Sequence, residues 1–253
     1  MSLNYKALKE YKIGGSSGGG DWFRPKPNED GSSRRYTFRL LATPGYELPF
    51  FDTTIHYFRA EGSFTSGACP RVTGDFCIAC DMFFKLRLLP EFKGDNNKNL
   101  KILRKINPTT RVYANVIPRG VDRVQVWSMP YTVANDLRNA LLTYLEDEID
   151  LTDPENGRDL VLPVGKQGAV TKYEGVTVRP KASEVGVEDW EAQCHDLKEK
   201  AHGRMFSTDE VEEHVGACLG DSAAEFFNLY KSAAEADKAS KKKEDDGEIG
   251  EEV

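Results

Sequence analysis

The chain has 253 residues, of which 39% are hydrophobic and 30% charged, enough for one large domain or one domain with appendages. Its net charge of -7 would by itself argue against a nucleic-acid partner, but that average hides a split. Residues 1–145 hold 21 Lys and Arg against 13 Asp and Glu, whereas residues 146–253 hold 13 against 28. A basic half followed by an acidic end is typical of nucleic-acid binding combined with an interaction tail.

The segments that direct export or membrane insertion are not expected in this sequence. The opening MSLNYKALKEYK is polar, and no apolar run approaches the roughly 18 residues that a membrane span needs. Five cysteines are an odd number for a disulfide framework, and a clustered CxxC without a secretion signal favours metal binding or redox chemistry. We therefore expect an intracellular protein that is not secreted.

The predicted elements begin with an N-terminal arm over residues 1–20, in which a short amphipathic helix (2–12) precedes a flexible Gly/Ser linker (14–20). Strands follow from Arg34 to about Phe58. Residues 77–89, CIACDMFFKLRLL, predict a short helix that begins at the CxxC.

Further along, two β-rich runs at 111–119 and 122–129 are separated by Gly120-Val121, which favours a hairpin. Apolar residues at helical spacing predict a helix over 133–149, and two more strands follow at 159–164 and 175–180. Short strands around one or two helices favour an α+β, mainly β fold whose core is an OB-fold barrel with flanking helices.

The C-terminal part turns acidic and helical from about residue 187. Ser207 followed by Glu210 three residues later predicts a capping box at a helix start. The end of the chain, KKKEDDGEIGEEV, has the composition of a disordered acidic tail.

A metal site is predicted by the spacing His56-x12-Cys69-x7-Cys77-x2-Cys80. Zinc favours four soft or borderline ligands in a tetrahedron, and three cysteines with one histidine are a common structural set. The alternative without a metal is three unconnected cysteines beside a histidine whose ring nitrogens have hydrogen-bond partners in the protein. A thioredoxin-like redox CxxC needs a βαβ context, which this region lacks.

A catalytic zinc is the sharper alternative to a structural one. Nucleobase deaminases use H-x-E followed by P-C-x-x-C with an open fourth position. Here Phe58 stands where the Glu would be, Phe76 precedes Cys77, and Cys69 fills the fourth position. We therefore predict one structural zinc per chain, no catalytic residues and no enzyme activity. We interpret the remaining cysteines and histidines as structural or surface residues; they are Cys194, Cys218, His195, His202 and His214.

Basic residues interleave with aromatic residues between positions 98 and 131. On a strand, Arg111 and Tyr113 fall on the same face. Single-stranded nucleic-acid binders combine cations that follow the phosphates with rings that stack on bases, each stack contributing roughly 1–3 kcal/mol. The alternative is that Tyr113 and Trp127 are core aromatics with a solvated basic rim.

Five segments together resemble the helix-destabilising, single-stranded-DNA-binding protein family of T-even bacteriophage replication. The segments are HYF…C…DFCIAC, RKINPTTRVYANVIPR, DRVQVWSMPYTVANDLRNAL, DPENGRDLVLPVGKQG and FSTDEVEEHVGACLG, in that order, and they span roughly residues 34–220. The resemblance implies an OB-type core with a zinc-bearing subdomain. It also implies binding of single-stranded DNA without sequence preference, in replication, recombination and repair of a phage genome.

The resemblance also implies a domain division and partners. Residues 1–20 would be a self-association arm with its linker, residues 21–206 the DNA-binding core with a zinc subdomain at about 52–110, and residues 207–253 an acidic region that recruits replication and recombination proteins. The expected location is the cytoplasm of the infected bacterial host, with no membrane partner. A zinc-dependent nucleic-acid-processing enzyme and an RNA-binding regulator are the alternative functions.

The DNA-contacting positions that the resemblance implies are basic or aromatic. They are Lys101, Arg104, Lys105, Arg111, Tyr113, Arg119, Trp127, Tyr131, Arg138 and Tyr173.

Overall fold

The chain separates into two units, each assembled from two segments of sequence. The computed structural model describes residues 20–247, with side chains as far as Asp237. The first unit contains residues 20–52 and 111–201, and the second contains residues 53–110 and 202–247. The helical arm predicted at the N-terminus lies outside the described residues, as do the last six residues.

Strands predominate between residues 22 and 182, and helices follow from residue 190 to the end of the described chain. The strands are β1 (Trp22–Phe23), β2 (Arg34–Leu40), β3 (Phe51–Ala60), β4 (Ser63–Ala68), β5 (Pro108–Pro118), β6 (Gln125–Pro130), β7 (Arg158–Gln167), β8 (Val170–Tyr173) and β9 (Thr177–Ala182). The α-helices are α1 (Ile78–Leu86), α2 (Lys98–Leu103), α3 (Tyr131–Glu146), α4 (Trp190–Gln193), α5 (Leu197–His202), α6 (Thr208–Leu219) and α7 (Ala223–Gly247).

The sheet of the first unit forms a curled half-barrel, which confirms the predicted α+β fold with an OB-type core. Its strands follow the order β1-β6-β5-β2-β7-β8, with β9 paired to β7. The predicted hairpin is β5–β6, in which Tyr113 lies opposite Ser128. Strand β2 pairs antiparallel with both β5 and β7, and the two-residue β1 adds a parallel edge to β6.

Large aromatic side chains fill the interior of the half-barrel. Trp127 meets Phe38 at 5.2 Å and Phe23 at 5.6 Å between ring centroids, in edge-to-face arrangements that suit the quadrupoles of the rings. Helix α3 covers this interior with Val133 and Leu137, because residues four apart share one face of a helix. The predicted helix over 133–149 is thus confirmed, with its start two residues earlier.

The second unit consists of the β3–β4 hairpin and helices that pack on it. Gly67 near the end of β4 permits close approach, since a Cβ there would lie 3.0 Å from the ring of Phe206. Helix α6 begins at the predicted capping box, with Ser207 and Glu210 bonding each other's backbone N–H groups. Val211 and Phe226, from α6 and α7, are buried in the same cluster as the three clustered cysteines.

The last described helix extends into the acidic end of the chain. Helix α7 runs as far as Gly247, so it includes residues 241–247, the first part of the segment whose composition predicts a disordered tail. This helix begins in the core of the second unit, where the Phe226 ring packs edge-on against Phe92 at 5.2 Å. An apolar anchor of this kind is not visible in the acidic composition of the region.

Candidate metal centre and nucleic-acid interface

The four predicted metal ligands come from three consecutive local structures. His56 lies on the inner face of β3, and Cys69 follows β4 directly, where it precedes a short 3-10 helix at Pro70–Thr73. Cys77 is the residue before the first turn of α1, and Cys80 lies within that turn. Since β3 and β4 are paired, His56 lies opposite Gly67, two residues before Cys69. The local folding of the hairpin and the helix start therefore brings the donors together.

The donor atoms have the spacing of a tetrahedral ion site. All four lie within 4.8 Å of one another. His56 Nε2 is 3.2 Å from the Cys77 sulfur and 3.5 Å from the Cys80 sulfur, and the Cys69 and Cys80 sulfurs are 3.6 Å apart. Bond lengths of about 2.3 Å to sulfur and 2.0–2.1 Å to nitrogen in a tetrahedron imply donor separations of about 3.6–3.8 Å. The cluster can therefore hold a metal ion.

Burial and mutual hydrogen bonding set the protonation of the thiols. All four ligand residues are fully or almost fully buried. Hydrogen bonds from Cys69 and Cys80 lower the pKa of Cys77, because they stabilise its thiolate. The bond to Cys77 raises the pKa of Cys69 to about 11. Since zinc binds thiolates, loading of this site releases protons.

The imidazole of His56 is held from one side by an aromatic ring. Phe58 stacks on it at 5.3 Å with planes 8° apart, and His214 of α6 stacks on Phe58 in turn at 5.2 Å. The second ring nitrogen, Nδ1, is buried and has no hydrogen-bond partner within the described residues. In the tautomer with the proton on Nδ1, the lone pair of Nε2 faces the space between the three sulfurs. A histidine that binds a metal through Nε2 requires this tautomer.

Three of the predicted DNA-contacting residues lie together in the second unit. Lys101 is exposed on α2, and Arg104 and Lys105 are exposed on the 3-10 turn that follows it. Leu103 and Ile106 from the same two turns are buried, so the cations are turned outward. Within residues 20–237, none of the three cations forms an ion pair.

The other predicted contact residues lie in the first unit, where Arg111 and Tyr113 share a face of β5. Arg111 is half-buried and its Nε donates to the Ser128 hydroxyl at 3.2 Å. Tyr113 is buried and meets the edge of Trp22 at 6.2 Å. Burial raises the pKa of Tyr173, and the positive charge of Arg111 opposes that rise. Arg111 and Tyr173 therefore lie near each other.

The remaining four predicted residues divide into an exposed pair and an enclosed pair. Tyr131 at the start of α3 is 62% exposed. Arg138, about two turns further along the same helix, is exposed too. Trp127 is 1% exposed in the half-barrel interior. Arg119 forms an ion pair with Asp159 at 2.6 Å. Trp127 and Arg119 thus have structural partners in the folded chain.

Two exposed phenylalanines beside arginines escaped the sequence reasoning. The Arg87 guanidinium lies 5.1 Å from the centre of the Phe84 ring, and the Arg59 guanidinium lies 5.3 Å from that of Phe64. The first pair is spaced i, i+3 on a helix, a signal that was available in the sequence. The second is a cross-strand pair, and it depended on recognising β4 as a strand.

Comparison with known proteins places the chain beside one family. The family model described as gp32 DNA binding protein like matches residues 32–218, a span that includes all four metal ligands and all ten predicted contact residues. Comparison with the curated proteins gave no match. A search of the helices in residues 20–247 found none with the length and apolar character for crossing a membrane.

Proposed function

Because the chain belongs to the gp32 DNA-binding-protein-like family, and is accordingly a DNA-binding protein, we propose that it binds single-stranded DNA without sequence preference. In this proposal it protects single strands during replication, recombination and repair of a phage genome, in the cytoplasm of the infected bacterial cell. The observation that carries the proposal is the group of three outward cations, Lys101, Arg104 and Lys105, which have no ion-pair partner within residues 20–237.

Unpaired exposed cations favour a polyanionic partner. Each phosphate that they neutralise releases condensed counterions, which supplies affinity without reading sequence. The exposed ring of Tyr131 and the exposed charge of Arg138 on α3 suit stacking and phosphate contact, respectively. We propose that these five residues make the main contacts.

The enclosed residues have a different role in the proposal. Arg111 and Tyr173 are half-buried and Tyr113 is buried, and in the proposal these three residues form a wall beside the bound strand. Trp127 and Arg119 hold β5, β6 and β7 in place through the core and through the ion pair to Asp159. They thereby position β5, which carries Arg111 and Tyr113, and β8, which is paired to β7 and carries Tyr173. Their replacement is expected to weaken DNA binding through loss of structure.

We propose that the metal is one structural zinc ion held by His56, Cys69, Cys77 and Cys80. Bound there, zinc supplies folding energy and not reaction chemistry, because four protein donors leave no position for a water molecule. Self-association through residues 1–20 and recruitment of replication and recombination proteins through residues 207–253 complete the proposal. For the latter, the far part of α7 is favoured, because its first turns are occupied by packing around Phe226.

The test is a salt titration of binding to labelled oligo-dT, followed by fluorescence anisotropy. If about six cations contact phosphates, log K falls against log salt with a slope of about -4. Replacing Lys101, Arg104 and Lys105 together by Ala should reduce the slope by about 2. The matched control is a variant in which three other exposed lysines are replaced by Ala. They are Lys26, Lys172 and Lys181, which do not belong to the predicted contacts.

Two outcomes would overturn this function. One is an affinity that does not change with salt, because phosphate contacts require counterion release. The other is equal affinity for duplex DNA of the same length. An oligo-rU titration under the same conditions tests the RNA-binding alternative.

A further inference from the structure

A depression opens on the second unit directly beside the metal cluster. Its sides are formed by Thr54, Arg71, Phe84, Pro108 and Thr110. The sulfur-bearing residues Cys69 and Cys80 also line it, and since both are buried they form its bottom. None of these residues other than the two cysteines belongs to the metal site or to the predicted DNA contacts.

The aromatic wall of the depression is a ring held in a fixed position. Phe84 is 41% exposed, although two neighbours contact it. Phe83 meets it edge-to-face at 5.6 Å, and the Arg87 guanidinium lies 5.1 Å from its centroid. A ring with its orientation set in advance loses little conformational entropy when a flat ligand stacks on it.

A cation at the rim is only weakly engaged. The Arg71 side chain is 44% exposed, and its Nη2 lies 3.7 Å from Asp81. Asp81 is shared, because it also accepts a 2.6 Å hydrogen bond from Tyr230 and pairs with Lys85 at 3.3 Å. Arg71 can therefore turn to an external anion at small cost, since an exposed pair of this length contributes little.

The two threonines add hydrogen-bonding capacity that does not select one base. Thr54 lies on the same face of β3 as His56, two residues away, and Thr110 is exposed on β5. A hydroxyl both donates and accepts, so each can meet the edge of any base. A flat apolar wall, a cation and two hydroxyls together match a nucleotide: a base to stack, a phosphate and polar base edges.

We propose that this depression holds one nucleotide of the bound single strand, with its base stacked on Phe84 and its phosphate on Arg71. The inference rests on the proposed function and adds to it a binding subsite in the metal-bearing unit. The metal ligands shape the bottom of this subsite, and the ligand is recognised by stacking and charge.

Photocrosslinking tests the location. Oligo-dT carrying a single 5-iodouracil is bound to the full-length, zinc-loaded protein and irradiated, and the modified peptide is identified by mass spectrometry. The expected adduct lies on Phe84. Phe64 is the internal control, since it is 59% exposed and also has an arginine stacked on it, but does not line the depression. Adducts at Phe64 without adducts at Phe84 would overturn the subsite.

Affinity measurements test the energetic role. Phe84→Ala should lower the affinity for oligo-dT roughly 5- to 100-fold, as expected for one lost stack, and Phe84→Trp should retain it. Phe64→Ala should change it less than about twofold, and Arg71→Ala should reduce the salt slope by about 0.7. A thermal melt of each variant shows whether the fold is intact.

The outcomes separate this inference from the proposed function. If the wild-type protein binds oligo-dT and Phe84→Ala binds equally well, the subsite is wrong and the function stands. If a folded Phe84→Ala variant loses affinity but Phe84→Trp does not recover it, stacking is wrong as the mode of contact. If the wild-type protein does not bind oligo-dT, both proposals fail.

Discussion

The two units bury different kinds of residue at their centres. The first unit encloses aromatic and aliphatic side chains such as Phe38, Trp127 and Leu137 between strands and a covering helix. The second unit encloses three cysteines and a histidine, with Phe58 and Phe206 packed beside them. The first centre is apolar throughout, whereas the second combines an apolar core, which includes Met82, Leu103 and Phe226, with four side chains that can bind a metal ion.

This difference predicts how each unit fails. In a distributed core, each side chain contributes a few kcal/mol, and the rest of the packing persists when one is removed. In a metal-organised core, the ion contributes a large share of the folding energy at once, about 10–16 kcal/mol in zinc-finger peptides. The second unit should therefore depend on a single ligand set, and the first should not.

The largest expected effect is loss of the metal. Chelation, or Cys77→Ser, should unfold the second unit, because the binding energy of a structural zinc is comparable to the whole stability of a typical domain, about 5–15 kcal/mol. Hydrogen exchange should show protection lost in residues 53–110 and 202–230 and kept in β2, in residues 111–118 of β5 and in β7. Cys194→Ser is the control, since Cys194 is a free cysteine of the first unit. Equal loss of protection in both units would contradict the contrast.

The second effect is removal of a buried charge partner in the first unit. Asp159 accepts from Arg119 Nε and Nη2 at 2.6–2.9 Å. The neighbouring Arg39 is 0% exposed and its Nη2 donates to the carbonyls of Asp153 and Ser183. Asp159→Ala leaves the half-buried Arg119 guanidinium without its carboxylate and removes one of the negative charges that act on the buried Arg39, so it should cost about 3 kcal/mol.

Urea unfolding of the first unit, followed through its buried Trp127, measures that change. Asp122→Asn in the exposed β5–β6 turn serves as the control and should change the free energy of unfolding by less than about 0.5 kcal/mol. A cost below about 1 kcal/mol for Asp159→Ala would show that the ion pair does not organise this unit.

The smallest effect concerns the stability of the first unit at acid pH, which depends on the carboxylate of Asp196 and not on the metal cluster. Asp196 precedes α5 and accepts hydrogen bonds from the Glu199 backbone N–H at 3.0 Å and the Tyr46 hydroxyl at 2.8 Å. These bonds lower its pKa below the ordinary 3.8, so its contribution is present above that value and is lost as pH falls through the lowered pKa. Asp196→Ala should cost about 1 kcal/mol at pH 7.

A pH series of urea midpoints measures this prediction. The difference between wild type and Asp196→Ala should shrink as the pH falls below 3.8, because the unfolded wild-type chain then binds a proton at Asp196 before the folded chain does, and it should vanish once the pH passes the lowered pKa of the folded state. Glu188→Ala, an exposed position just before α4, is the matched control. If the difference stays constant down to the lowest pH at which the unit folds, the ionised carboxylate of Asp196 does not contribute the lost stability.

Local chemistry explains what the sequence could predict. The β5–β6 hairpin, helix α1 with its CxxC and the Ser207–Glu210 capping box each depend on residues within a few positions of one another. The cluster of four donor residues that could hold a metal ion was also readable, because three cysteines and a histidine at short spacing have few other uses. The family resemblance, confirmed by the match over residues 32–218, came from the order of such local segments.

Long-range contacts explain what the sequence could not predict. Strand β4 was missed because its residues SFTSGA lack β-branched and aromatic density, and Gly67 is required by Phe206, far along the chain. The interior position of Trp127 depends on Phe23 and Phe38 from other strands. The position of Phe226 in the core of the second unit depends likewise on Phe92, far away in the sequence, a contact that composition does not report.

The second unit is assembled from two distant segments of sequence, so its parts are synthesised at different times. Cys80 leaves the ribosome about 150 residues before Phe226 does, an interval of roughly 7–30 s at elongation rates of about 5–20 residues per second. During that time, three thiols and an imidazole are present on a nascent chain that lacks the helices that later bury them. A zinc ion captured in this interval would protect the thiols from oxidation, so the supply of zinc in the cell would set the yield of correctly folded protein.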